Sequence, residues 1–226
     1  MNTKIRSIQS IVEEQCGRWN LAVTDVKDKR PAPIITISRQ TGTIATAVAR
    51  KLASDLKMDL SGKNIINQVA ENTQVREKVI RQLDEKTRGW LEDLIADWTP
   101  KNNIGSDEYF KSLVKTVGTI GKFGNHIILG RGAIFIIKPP QNLRIRFIAP
   151  MEMRVENVMR EHERGAVEAK EWVIKTDANR KAFIRRYFNE DIDKPENYDL
   201  IINNAFIGVD EACAMITAVL KARNPG

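Results

Sequence analysis

The sequence has few of the residues that build metal centres, disulfide frameworks or membrane spans. Its 226 residues contain two cysteines and two histidines, and Cys16 and Cys213 stand far apart with no C-x-x-C spacing. They predict neither a zinc site nor a disulfide framework, and they suit a reducing compartment. No apolar run approaches the ~18 residues of a membrane span, and the polar start of the chain lacks the apolar core of a signal peptide. We therefore expect a cytoplasmic protein with no metal-ligating residues and no membrane segment.

The chain is basic overall, with a formal net charge of +7 and a pI near 9.4. This charge favours anionic ligands, of which nucleotides and nucleic acids are the obvious candidates, although a generally basic surface would explain it equally well. The basic residues are spread along the chain, and no aromatic-basic motif typical of RNA-binding proteins occurs. Nucleic-acid binding is therefore the weakest of these interpretations.

A strand, a glycine turn and a helix follow one another early in the chain. The β-branched run IITI at residues 34–37 is typical of a buried strand. The turn covers residues 38–43 and contains Gly42, and this order is that of a phosphate-binding loop, where N–H groups at the start of the helix face an anion. The usual G-x-x-x-x-G-K-S/T string is absent, however. The helix is predicted by apolar residues at a spacing of four: Ile44, Val48, Leu52 and Leu56.

Short apolar strands alternate with helical segments along the rest of the chain. Further strands are predicted at residues 58–60, 126–129, 143–149 and 198–203. Further helices are predicted at residues 63–98, 106–122, 152–163, 167–188 and 209–222. This alternation predicts an α/β domain of three layers, with a parallel sheet of about five strands covered by helices on both faces.

The domain is expected to cover residues 31–226, preceded by an N-terminal arm at residues 1–30. Apolar residues near helical spacing predict an amphipathic helix in the arm. Such a helix could cover the core of its own domain, or it could pair with a second copy and form a homodimer. The sequence leaves both arrangements open.

Two of the predicted strands end in a glycine turn that carries an arginine. Arg39 follows the first strand, and Arg131 lies between Gly130 and Gly132 after the strand at residues 126–129. In a parallel sheet, ligands collect at the carboxyl ends of the strands. Glycine lets the backbone approach a ligand closely, and the planar guanidinium group grips a phosphate. A loop glycine beside a surface arginine is the simpler explanation, but its occurrence at two strand ends favours a phosphate site.

At these residues the sequence resembles the cytidylate kinase-like family, a divergent branch of the P-loop nucleoside monophosphate kinases. The resemblance runs from about residue 34 to residue 216, and its sequence strings occur in the order that the family shows. They are ITISRQ at 35–40 followed by Gly42, LGRGA at 129–133, APMEMRV at 149–155, KTD at 175–177 followed by Arg180 and Tyr187, and PENYDLIIN at 195–203.

The resemblance implies a P-loop kinase fold that transfers phosphate from ATP, with Mg²⁺, to CMP or a related nucleoside monophosphate. In such a reaction the protein mainly positions the two substrates and supplies positive charge around the transferred phosphoryl group. The resemblance also implies an acceptor-binding insertion at about residues 61–123 and a lid at about residues 160–190. The implied donor-site residues are Ser38, Arg39, Gln40, Gly42, Thr43 and Thr46. The implied acceptor-site residues are Gly130, Arg131, Gly132, Arg154, Asp177 and Arg185.

Arginines would supply the catalytic charge and the closing lid. On the implied scheme Arg39, Arg131 and Arg180 are the catalytic residues. A lid of basic side chains would neutralise the phosphates and exclude water, although a solvated basic helix face accounts for any one of these side chains. The implied lid arginines are Arg154, Arg160, Arg164, Arg180, Arg185 and Arg186.

Several ligand positions depart from the family pattern. The family turn is usually Gly-Ser-Gly-Gly, whereas this chain has GTIA at residues 42–45. Isoleucine is poor at the backbone angles and close approach that a phosphate loop needs. The lysine of a Walker loop is missing, with Ala45 near its place, and Gln40 replaces a glutamate. The alternative to a kinase is therefore a catalytically silent pseudokinase that binds nucleotide or scaffolds a partner.

Overall fold

The structure, a computed structural model, describes residues 32–62 and 108–223, together with positions 66, 89, 92, 93, 95 and 96. Its strands are β1 (Ile34–Arg39), β2 (Asp59–Ser61), β3 (His126–Leu129), β4 (Asn142–Ile148) and β5 (Leu200–Asn203). They form one five-stranded sheet in the order β2-β3-β1-β4-β5, and every neighbouring pair runs parallel. The predicted parallel sheet is confirmed.

Helices connect the strands and cover the sheet. Within the described ranges they are α1 (Ala45–Asp55), α2 (Glu108–Phe123), α3 (Ala133–Ile136), α4 (Met151–His162), α5 (Ala166–Phe188) and α6 (Val209–Arg223). Among the residues that the structure describes, no helix has the length and apolar character needed to cross a membrane. The predicted arm at residues 1–30, its homodimer and most of the acceptor-binding insertion lie outside the described residues.

Each face of the sheet has its own hydrophobic core, because successive residues of a strand point to opposite faces. On one face Ile34 packs with α2, α3 and α5, and on the other Ile35 and Ile37 pack with α1 and α6. Full burial of such a side chain stabilises the fold by roughly 1.5–3 kcal/mol. The two covered faces give the predicted three-layer architecture. The large side chains of the first core include Phe110, Leu113, Ile128, Ile184 and Phe188, and those of the second include Val48, Leu52, Phe147, Cys213 and Ile216.

The sheet brings the two predicted glycine-arginine turns together. Strands β1 and β3 are neighbours, with Ile37 opposite Leu129 in the parallel register. The segments that follow these two residues therefore leave the sheet side by side at its carboxyl edge. This is the edge where ligands bind in parallel sheets.

Helices α4 and α5 form a pair that crosses this carboxyl edge. A small core of Val158, Ala169 and Val173 joins them, and the C-terminal part of α5 packs into the first core of the sheet through Ile184 and Phe188. The pair covers the range predicted for the lid. The C-terminal half of α5 thus packs against the sheet, while its N-terminal half packs against α4.

Candidate functional site

A cavity of about 440 Å³ lies at the carboxyl ends of β1 and β3, beneath α5. Its floor consists of residues 37–39 and 129–135, from the two strand ends and the turns that follow them. One face of α5 closes it from above. The lining residues of this helix recur at helical spacing, and they include Trp172, Thr176, Asn179, Arg180 and Phe183.

The turn after β3 has an unusual backbone that places Arg131 in the wall of this cavity. Gly130, Arg131 and Gly132 have φ angles of 90°, 56° and 66°, so three consecutive residues adopt the left-handed conformation. A Cβ atom on Gly132 would lie 2.2 Å from the Phe188 ring, and one on Gly130 would lie 2.7 Å from Nη1 of Arg39. A non-glycine residue in this conformation is strained, and such strain concentrates at functional sites.

Three guanidinium groups, those of Arg39, Arg131 and Arg180, share the cavity. Burial, and then the neighbouring charges of Arg180 and Arg131, lower the pKa of Arg39 to about 9. The Arg131 guanidinium lies 5.3 Å above the Phe183 ring centroid, and its buried Nε atom has no hydrogen-bond partner in the described part of the chain. None of the described residues lining the cavity is acidic. The three guanidinium groups are half-buried and repel one another, and of the three only Arg180 lies near Asp177. A cluster of partly desolvated cations favours an anion, so the cavity is suited to a phosphate.

Arg180 connects the cavity with the loop between β1 and α1. Its Nη1 donates a hydrogen bond to the Arg39 carbonyl oxygen at 2.9 Å and lies 3.6 Å from Oδ1 of Asp177. Burial lowers the pKa of Arg180, while the Asp177 carboxylate acts in the opposite direction. This arginine is thus held at the junction of β1 and α5.

The loop between β1 and α1 is packed tightly against α4. Gly42 has a φ angle of 80°, and a Cβ atom there would lie 2.3 Å from the Arg154 carbonyl oxygen. The Gly42 carbonyl accepts a hydrogen bond from Nδ2 of Asn157 at 2.7 Å. Only glycine can occupy this position without moving α4. The single glycine that the sequence retains in the turn is therefore required by packing.

The same loop holds a carboxylate of α5. The backbone N–H and the Oγ1 hydroxyl of Thr41 both donate to Oδ1 of Asp177, at 2.8 and 2.7 Å. The other carboxylate oxygen, Oδ2, accepts from Nη1 of Arg154 at 2.6 Å. A backbone amide of the predicted phosphate loop is thus bound to an anionic side chain of the protein itself.

The structure brings together part of the predicted site. The predicted residues that line the cavity are Ser38, Arg39, Gly130, Arg131, Gly132 and Arg180. Ser38 is also engaged beside it, because its Oγ accepts from Nη1 of Arg146 at 2.8 Å. Arg154 and Asp177 contact each other and the loop. Arg185 is exposed on α5 and does not line the cavity.

The remaining predicted donor-site side chains face other partners. Oε1 of Gln40 accepts from the Ala149 N–H at 3.1 Å, and Thr43 Oγ1 donates to the Gln40 carbonyl at 2.9 Å. Thr46 is exposed on the first turn of α1. In the described ranges, no three acidic, histidine or cysteine residues lie close enough together to hold a metal ion. The Gln40 and Thr43 side chains thus make hydrogen bonds within and beside the loop.

The other predicted lid arginines lie outside the cavity. Arg160 and Arg186 are exposed, and the Arg164 guanidinium lies 4.4 Å from the Trp172 ring centroid. The sequence analysis missed Trp172 and Phe183, which line the cavity. Phe183 lies about one helical turn after Arg180, and Trp172 lies about two turns before it. This spacing places all three side chains on one face of α5, and it could have identified the two aromatic residues.

Comparison with known proteins gives a family and a fold. The sequence profile of the cytidylate kinase-like family matches residues 34–205. No curated protein matches the chain. Among solved structures, an uncharacterized protein from Eubacterium ventriosum is 23% identical and has a TM-score of 0.64, with 84% of this chain and 98% of that chain covered. At this identity the likeness shows the fold alone.

Two kinases are also similar, more distantly. Shikimate kinase from Bacteroides thetaiotaomicron is 10% identical over 84% of this chain and 98% of that chain, with a TM-score of 0.46. A gluconokinase from Sinorhizobium meliloti is 8% identical over 87% of this chain and 99% of that chain, with a TM-score of 0.47.

Proposed function

The chain belongs to the cytidylate kinase-like family, as its sequence strings indicated, and on that premise we propose that it binds a nucleoside monophosphate in the three-arginine cavity. The observation that carries this proposal is the cluster of Arg39, Arg131 and Arg180, with no acidic residue among the described lining residues. A phosphomonoester carries about −1.5 to −2 charges at neutral pH. It would supply negative charge to the three guanidinium groups and a hydrogen-bond acceptor for the unpartnered Nε of Arg131.

The remainder of the cavity suits the base and the sugar. Ile134, Phe135, Trp172 and Phe183 give its walls an apolar and aromatic character, and Asn179 offers an amide for hydrogen bonds to a base. Its volume of about 440 Å³ falls within the roughly 300–1,000 Å³ typical of small-molecule sites. The family description makes CMP the first ligand to test, and related monophosphates are the next.

Two activities are compatible with this binding. The first is phosphoryl transfer from ATP to CMP or a related monophosphate, which the family resemblance implies. The second is binding without transfer, by a catalytically silent relative of the kinases. A specific observation favours the second: Asp177 is bound to the Thr41 amide in the loop where donor phosphates would lie.

The loop as arranged here does not fit the phosphates of ATP. Ile44 and Ala45 stand where the family pattern has glycines, and residues 38–46 contain no lysine that could contact a phosphate. Lys51, further along α1, is paired with Asp55 at 3.3 Å and with Asp210 at 3.4 Å. We therefore assign no catalytic step to ATP or Mg²⁺ at this loop.

Calorimetric titration of CMP, UMP, AMP and dCMP into the full-length protein tests the binding proposal. We expect measurable binding of at least one monophosphate and weak or no binding of cytidine, because the arginines recognise the phosphate. Failure of every monophosphate to bind at millimolar concentration would refute the proposal. A coupled assay with ATP, Mg²⁺ and the same panel separates the two activities, since turnover would reject the silent alternative.

A further inference from the structure

We propose that Asp177 is a specificity-determining residue, which occupies the phosphate loop as the protein's own anion and excludes the phosphates of a nucleoside triphosphate. This inference concerns the loop between β1 and α1, not the three-arginine cavity. It does not require that the cavity bind a monophosphate.

The first step is that both carboxylate oxygens of Asp177 accept hydrogen bonds, one from the loop and one from Arg154. Oδ1 accepts both donors of Thr41, its N–H at 2.8 Å and its hydroxyl at 2.7 Å, and Oδ2 accepts from Arg154 at 2.6 Å. The Arg154 side chain is buried, with only 6% of its surface exposed. Charge-assisted hydrogen bonds of this length are about twice as strong as neutral ones. The carboxylate therefore uses the loop in the way that a phosphate would.

The second step is that side chains of α4 and α5 also donate hydrogen bonds to backbone carbonyl groups of residues 39–42. Nη1 of Arg180 donates to the Arg39 carbonyl at 2.9 Å, and Asn157 donates to the Gly42 carbonyl at 2.7 Å. The Cα of Gly42 lies so close to α4 that an added Cβ would approach the Arg154 carbonyl oxygen to 2.3 Å. A phosphate that reached the Thr41 N–H would have to displace the carboxylate first, because two anions cannot share that donor.

The third step is that Asp177 lies outside the three-arginine cavity, although Arg39 and Arg180 line both cavities. Asp177 lines a smaller cavity of about 150 Å³ beside the loop, and it does not line the three-arginine cavity. A ligand with one phosphate can therefore enter the larger cavity while Asp177 stays on the loop. A triphosphate that binds the loop must break the Asp177 hydrogen bonds, and the free energy needed to break them is lost from its binding affinity.

The test is titration of ATP, without Mg²⁺, into the wild-type protein, Asp177→Ala and the matched control Asp193→Ala. Asp193 lines the same small cavity, but its carboxylate pairs with the buried Arg146 at 2.5 Å and with Lys181 at 3.1 Å, not with Thr41. Both substitutions remove one negative charge next to a buried arginine. We expect ATP to bind Asp177→Ala at least about tenfold more tightly than wild type, and Asp193→Ala to stay within about twofold of wild type.

Amide hydrogen exchange locates the effect. The Thr41 amide should exchange slowly in wild type and in Asp193→Ala, rapidly in Asp177→Ala, and slowly again when ATP is added to Asp177→Ala. Unchanged ATP affinity in Asp177→Ala, or an equal gain in Asp193→Ala, would overturn the proposal. Should Asp177→Ala fail to fold, Asp177→Asn keeps the volume and one acceptor oxygen for Arg154, and it should shift ATP binding in the same direction. Absence of CMP binding to wild type would refute the proposed function and leave this inference standing.

Discussion

Acid should destabilise this protein through one buried histidine on β3. His126 is 1% exposed, and its Nε2 lies 2.8 Å from Oγ of Ser61 on the neighbouring strand β2. Burial lowers the pKa of His126 to about 3, whereas a histidine in an unfolded chain titrates near 6.5. Between these two values the unfolded state binds a proton that the folded state does not, so the free energy of unfolding falls as the pH decreases below about 6.5.

The size of this effect follows from the two pKa values. Each pH unit in that window costs about 1.4 kcal/mol, so the folded state should lose about 2 kcal/mol between pH 6.5 and pH 5. That is a large part of the roughly 5–15 kcal/mol that stabilises a typical domain. The loss should be complete only near pH 3, where the folded protein itself takes up the proton.

Urea denaturation at pH 7, 6 and 5 measures this loss. His126→Gln keeps an amide that can hydrogen-bond to Ser61 but removes the titrating group. Between pH 7 and pH 5 its free energy of unfolding should therefore fall by about 2 kcal/mol less than that of wild type. His162 is exposed on α4, and His162→Gln is the matched control that should keep the wild-type dependence. Equal pH dependence in wild type and His126→Gln would refute the reasoning.

Two further predictions concern the loop and the edge of the sheet. Gly42→Ala should lower the free energy of unfolding by at least about 2 kcal/mol. The added Cβ would lie 2.3 Å from the Arg154 carbonyl oxygen, and the φ angle at this position is 80°. Near-wild-type stability in thermal unfolding would contradict this packing. At Asp199, burial alone would raise the pKa, but hydrogen bonds from Arg144 outweigh it and hold the pKa at about 2. Asp199→Asn should therefore cost about 1 kcal/mol at neutral pH after allowance for solvent screening. The difference from wild type should shrink as the pH falls from about 4 to about 2, where the folded-state carboxylate is protonated; a difference at pH 2 as large as that at neutral pH would contradict the assignment.

The sheet was predictable because its strands carry local signals. The run HIIL at residues 126–129 is β3 without any shift, and the apolar spacing of four from Ile44 onward predicts α1. The predicted strand at residues 58–60 differs from β2 by one position. Hydrophobic periodicity records which face of an element is buried, so these elements follow from neighbouring residues alone.

The contacts that control the site were not predictable in the same way. Thr41 and Asp177 are separated by 136 positions, and no local pattern states that a carboxylate of α5 lies on the loop. The sequence identified Asp177 only through a family string, as an acceptor-site residue, and it did not identify Thr41 as a site residue. Their relation depends on how α4 and α5 dock across the carboxyl edge, which is a property of the whole fold. The missing lysine at Ala45 was visible in the sequence, but the internal anion that accompanies it was not.

The most direct test of the proposed binding site is the affinity of CMP for Arg131→Ala. Arg50→Ala, which removes an exposed arginine from α1, is the matched control for the loss of one positive charge. Because charge-assisted hydrogen bonds to a phosphate contribute about 1.5–3 kcal/mol, we expect CMP to bind Arg131→Ala about 10- to 100-fold more weakly than wild type, with little change in Arg50→Ala. CMP affinity that is unchanged in Arg131→Ala, or an equal loss in Arg50→Ala, would contradict the assignment of this cavity as the monophosphate site.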